Sequence, residues 1–98
     1  MKQMKLNWYD LMAIVRALWE TRGTLPEDLE DRRSDLILSL LDVEEGMKKR
    51  TKMKKVPLDP ADIRLISRAL LDYRNQMIRK NNAGASDVLG ELLLRFNS

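Results

Sequence analysis

The densest chemistry in this chain is cationic. Between Lys48 and Lys55, six of eight residues are basic: Lys48, Lys49, Arg50, Lys52, Lys54 and Lys55. Such a run can neutralise several phosphates and bind nucleic acid in a salt-dependent way. It holds nothing that reads bases, having no interleaved aromatic ring for stacking and no Asn or Gln for adenine edges. The other reading is a solvated linker, or a prolongation of the preceding helix, that balances acidic surface nearby. The whole chain has 18 basic and 15 acidic residues and a formal net charge of +3. Without the run the balance becomes 12 basic against 15 acidic, so the basic character belongs to one segment.

The next group to weigh is the tryptophan pair, Trp8 and Trp19. They lie close to three helical turns apart, which places both on one face of a helix. They read first as core filling. The sharper reading is an aromatic face that docks a partner, because tryptophan is favoured as an interface anchor. A third group is acidic: Glu27, Asp28, Glu30 and Asp31, followed by Arg32 and Arg33. Acids in a first helical turn suit the macrodipole. Their spacing lacks the glycine turn and ligand alternation of a calcium loop, and no positioned nucleophile accompanies them.

Cysteine and histidine are both absent. That removes thiolate and imidazole chemistry, and with it the usual zinc sites, serine and papain-like triads and histidine pH switches. No catalytic residue, cofactor or metal is expected. No apolar run approaches the length that spans a bilayer, and Met1-Lys2-Gln3-Met4-Lys5 is not followed by the apolar core of a secretory signal. A cytoplasmic chain without a membrane partner is the expectation.

The elements that must position these groups are helices, and they repeat. Shifting the chain by 52 residues aligns 6–46 with 58–98 without a gap and gives 11 identities in 41 positions. Asp10 falls on Asp62, Ile14 on Ile66, Arg16-Ala17-Leu18 on Arg68-Ala69-Leu70, Arg22 on Arg74, Ser34-Asp35 on Ser86-Asp87, and Leu40-Leu41 on Leu92-Leu93. Helical periodicity alone would align leucines. It would not align Asp, Arg and Ser at the same offset on both sides of a loop.

Each half reads as a helical hairpin. A first helix over about 8–22 is capped by Asn7, presents Trp8, Leu11, Met12, Ile14, Val15, Leu18 and Trp19, and stops at Gly23. Thr24-Leu25-Pro26-Glu27 matches a capping box that opens a second helix near 25. If Ser34 acts as a cap, as its counterpart Ser86 is expected to, that helix starts near 34 instead. In that case Arg22–Asp35 and Arg74–Asp87 could close the hairpin ends as ion pairs. Asp59 with Pro60 opens a third helix, and Ser86 caps the last, which Gly90 weakens by about 1 kcal/mol relative to alanine.

The expected fold is therefore all-α: a tandem duplication of a helical hairpin at a 52-residue offset, packed as a four-helix, pseudo-twofold bundle. One domain is expected over residues 1–98, with hairpins at about 6–46 and 58–98 and a basic linker at about 47–57. A homodimer would cover the same apolar faces. The leading functional expectation is a non-enzymatic interaction module, an adaptor, inhibitor or regulator that presents a helical surface to another protein. The alternative is a nucleic-acid-binding regulator that uses residues 48–55.

Overall fold

A computed structural model describes residues 2–23 and 27–97 of the chain. In chain order it places β1 (Lys2–Leu6), α1 (Trp8–Glu20), α2 (Glu27–Glu45), β2 (Lys54–Leu58), α3 (Pro60–Arg79) and α4 (Ala83–Phe96). The fold is mostly helical, but it is not purely all-α. β1 and β2 pair antiparallel, with Lys2 opposite Leu58, Met4 opposite Val56 and Leu6 opposite Lys54. The expected linker at 47–57 is thus a loop only as far as Met53; Lys54 and Lys55 belong to a strand.

The reason is visible in the side chains. Both strands show the same alternation, in which only the third and fifth residues are buried. Met4, Leu6, Val56 and Leu58 point inward and join the helical core. A two-stranded ribbon is marginal by itself, and these four side chains anchor it. Pro57 cannot donate to a ladder, so it is confined to edge positions, and this ribbon consists of two edge strands.

α1 packs against both α2 and α3, and α3 packs against α4. Leu6, Leu11, Ile14, Leu18, Ile66 and Leu70 are fully enclosed at the centre; each such side chain contributes about 1.5–3 kcal/mol through burial. The buried stripe of α1 is Leu11, Ile14, Ala17 and Leu18, and that of α4 is Ser86, Leu89, Leu92 and Phe96. Val88, on the same helix, is exposed.

Two helix starts are built alike. Asn7 accepts from the Asp10 amide at 2.8 Å while Asp10 accepts from the Asn7 amide at 3.0 Å. Asp59 and Asp62 repeat this reciprocal pair, with Pro60 in the first turn. Each box is then held by an arginine from another part of the chain. Arg95 of α4 donates to Asp10 at 3.1 Å and to the Lys5 carbonyl. Arg32 of α2 donates to Asp62 at 3.1 Å and to Asp59.

Several expectations about helix ends change. α2 runs without interruption through Ser34, whose hydroxyl faces the Glu30 carbonyl at 3.5 Å, so the helix does not begin near 34. The Thr24-Leu25-Pro26 part of the expected capping box lies outside the described residues. The cap of α4 is Asn82 rather than Ser86; Asn82 accepts from the Ala85 amide at 3.1 Å, and the Ser86 hydroxyl turns back to the Ala83 carbonyl at 3.0 Å. Serine competes well for local backbone acceptors within a helix, which explains why it resembles a cap in sequence. Arg22 does not reach Asp35. It donates to the Trp19 carbonyl at 2.9 Å and lies over the Trp19 ring. Arg74 does not pair with Asp87 either; its side chain lies against Gly90, where an added β-carbon would stand 3.0 Å from the Arg74 Nε.

Candidate basic-loop site

The segment between α2 and β2 is the candidate site. α2 tightens at its end, with the Gly46 amide donating to Val43 at 3.2 Å and the Met47 amide to Glu44 at 3.0 Å. The chain then turns at Lys49-Arg50-Thr51-Lys52, where the Lys52 amide meets the Lys49 carbonyl at 3.4 Å. So tight a turn in a run of like charges needs an anchor, and Trp8 supplies it three times. Its backbone N–H, one of the donors that a helix start leaves without an internal partner, donates to the Arg50 carbonyl at 3.1 Å. Its indole N–H donates to Glu44 at 2.7 Å. Its ring lies 4.2 Å from the Arg50 guanidinium carbon, a cation–π contact. Tyr9 adds an edge contact at 5.3 Å between ring centroids.

The result is a hollow of about 430 Å³ lined by Gly46, Met47, Lys48, Lys49, Lys52, Met53 and Lys54. Lys54 reaches in from the strand, its ammonium 3.5 Å from where a β-carbon on Gly46 would sit. Met47 packs against the core and Met53 is exposed. The ion pairs among the described residues are all made by arginines, and none engages a lysine of this loop. Lys55 lies outside the hollow, directly opposite Lys5 across the ribbon. Like charges placed so are mildly destabilising, and an anion laid over the ribbon would relieve them.

The expected site residues therefore divide. Lys48, Lys49, Lys52 and Lys54 come together around one hollow, Arg50 is turned onto Trp8, and Lys55 points elsewhere. The two tryptophans also separate. Neither fills the core: Trp8 is half-buried as the clamp of the loop, and Trp19 is 52% exposed with Arg22 over its ring. Near-equal helical phase is compatible with this, because α1 runs past different neighbours at its two ends. Sequence reasoning missed Glu44 and the two methionines as parts of the site. A Trp aligned with a Pro in the other half, at Trp8 and Pro60, was the available signal that this helix start carries something extra.

One member of the acidic cluster, Glu30, is used structurally. Glu30 accepts from Arg33 at 2.7 Å and from the Gly23 amide at 2.6 Å, and Arg33, itself buried, approaches the Leu18 carbonyl at 3.4 Å. These contacts fasten the end of α1 to α2. Arg32 holds the start of α3. The hydrogen bond from the Asp62 amide, with help from Arg32, keeps the Asp59 carboxyl below the usual carboxylate range, and the bond to Asp59 raises Arg32 above its ordinary value. No helix among the described residues is long and apolar enough to cross a membrane. Comparison with protein-family models, with curated proteins and with solved structures finds no match to this chain.

Proposed function

We propose that this protein is a non-catalytic binding module that engages the phosphate backbone of nucleic acid through the loop between α2 and β2. The observation that carries the reading is the lysine-lined hollow held in place by Trp8. Four lysines line the hollow, and among the described residues no carboxylate is bridged to them, while arginines elsewhere hold acids within the fold. A solvated linker needs no such anchor. Phosphate is the anion that a lysine cluster meets most often in a polyelectrolyte, and each neutralised phosphate releases a counterion. The test is retardation of labelled 20-residue strands and duplexes at low salt, with Lys48, Lys49, Lys52 and Lys54 changed together to Gln. Binding by the unmodified protein and none by the variant supports the proposal; no retardation of any strand by the unmodified protein ends it.

The scaffold reads as a duplication with a pseudo-twofold axis, and two observations support this. The strands, and the capping boxes at Asn7 and Asp59, stand at the same 52-residue offset as the sequence identities. The strand register is also unchanged when the halves are exchanged: Met4 and Val56 are equivalent by that offset and face each other, and Lys2–Leu58 exchanges with Lys54–Leu6. In this reading the Trp8 clamp and its loop belong to one half alone, and function resides where the copies diverged. An experimental structure whose halves fail to superpose in topology and hand would contradict it.

A second reading is a protein partner docked at the far end of α1. It is favoured by the exposure of Trp19, 52%, at a surface where burial would be expected of so large a ring. Loss of a captured protein on Trp19→Ala, with nucleic-acid binding intact, would support it.

A further inference from the structure

The hollow is not lined by charge alone, and this distinguishes among the ligands that a basic loop could take. Met47 forms part of its lining from the core side, and Met53 stands in it between Lys52 and Lys54, 43% exposed. A surface that only neutralises phosphate has no use for an exposed thioether between two lysines. An apolar wall beneath a cationic rim matches a ligand with a flat apolar face at one end and an anion at the other. The volume, about 430 Å³, lies in the range of small-molecule hollows and far exceeds what a lone phosphate fills. Thioethers make favourable contacts with aromatic rings.

We propose that this hollow seats one nucleotide unit, with its base against Met47 and Met53 and its phosphate among Lys48, Lys49, Lys52 and Lys54. The inference rests on the nucleic-acid reading above and narrows it. A base within a duplex is stacked between its neighbours and cannot enter such a hollow, so the preferred ligand is an unpaired base, in a single strand or in a free nucleotide. The Trp8 clamp keeps the turn at Lys49–Lys52 from having to order on binding. A lipid surface fits less well, because the two methionines line a concavity and do not form a projecting apolar face.

The test is fluorescence anisotropy at low salt with a labelled 12-residue single strand, the same strand without bases, and the corresponding duplex. A nucleoside triphosphate serves as competitor. The base-bearing strand should bind tighter than the abasic strand by about fivefold. Met53→Ser should remove that difference, and Lys52→Gln should weaken both strands. Competition by the triphosphate identifies free nucleotide as a source; displacement only by strand identifies the strand; both support the proposal. Equal binding of abasic and base-bearing strands by the unmodified protein overturns it while leaving the phosphate-backbone reading intact. Binding of no strand at all overturns both. Preference for phosphatidylserine vesicles over any strand also overturns it.

Discussion

Removal of the indole N–H by Trp8→Phe isolates the clamp on which the shape of the loop depends. The substitution keeps an aromatic ring beneath Arg50 and deletes the 2.7 Å bond to the Glu44 carboxylate. Hydrogen bonds to charged groups contribute about 1.5–3 kcal/mol. Both residues are only half-buried, so water can replace part of the loss at Glu44 and the low end applies. The phenyl face is a weaker cation partner than indole, which adds a few tenths of a kcal/mol at an exposed site. The expected destabilisation is about 1.5–2 kcal/mol. Urea unfolding followed by circular dichroism gives the global value, and hydrogen exchange of the amides at 48–53 reads the loop directly. A double-mutant cycle with Glu44→Ala should return about 1 kcal/mol of coupling. A loss below about 0.5 kcal/mol, with unchanged exchange at those amides, would refute the clamp and with it the claim that the hollow is preformed.

Three further outcomes follow from the fold. The lowered carboxyl of Asp59 contributes stability that is complete above the ordinary aspartate value near 4 and is lost as the pH falls through and below that point; Asp59→Asn, which can still cap, should lower stability near neutrality and flatten the acid limb of a stability–pH profile, so that the two proteins converge at low pH. Gly90→Ala should gain about 1 kcal/mol of helix propensity in an Arg74→Ala background but less in the native chain, where the new methyl meets the Arg74 side chain at 3.0 Å; equal gains in both backgrounds, by chemical denaturation, would contradict that contact. Ile66→Ala, at a fully enclosed position, should cost about 2–5 kcal/mol, read from the same unfolding curves.

The helices were legible in the residues because their signals are local. Asn7 with Asp10, and Asp59 with Pro60 and Asp62, are capping patterns complete within four residues, and both form. Gly90 beside a close neighbour was also readable, as a cost that needed a reason. The ribbon was not legible. Each strand offers only two inward apolar residues, β2 contains a proline, and its partner lies about 50 residues away with no hairpin turn between them. Pairing at that separation is decided by tertiary packing, which a sequence window does not contain. The basic run was visible as a candidate from its composition. That its lysines surround a hollow, while Arg50 folds onto Trp8, depends on Glu44 and Trp8 meeting across 36 residues. The burial of the tryptophans was misread for a related reason: large aromatic residues at helical spacing usually fill a core, but here one end of α1 faces the loop and the other faces solvent.

The most direct measurement is the salt dependence of binding to a labelled single strand. Four lysines around the hollow, each neutralising one phosphate, give a slope of log K against log salt of about −3, from roughly −0.7 per phosphate on single strands. Changing Lys48, Lys49, Lys52 and Lys54 together to Gln should bring that slope close to zero with the fold intact by circular dichroism. A native slope near zero, or an equally steep slope in the variant, would place the binding elsewhere or deny it altogether.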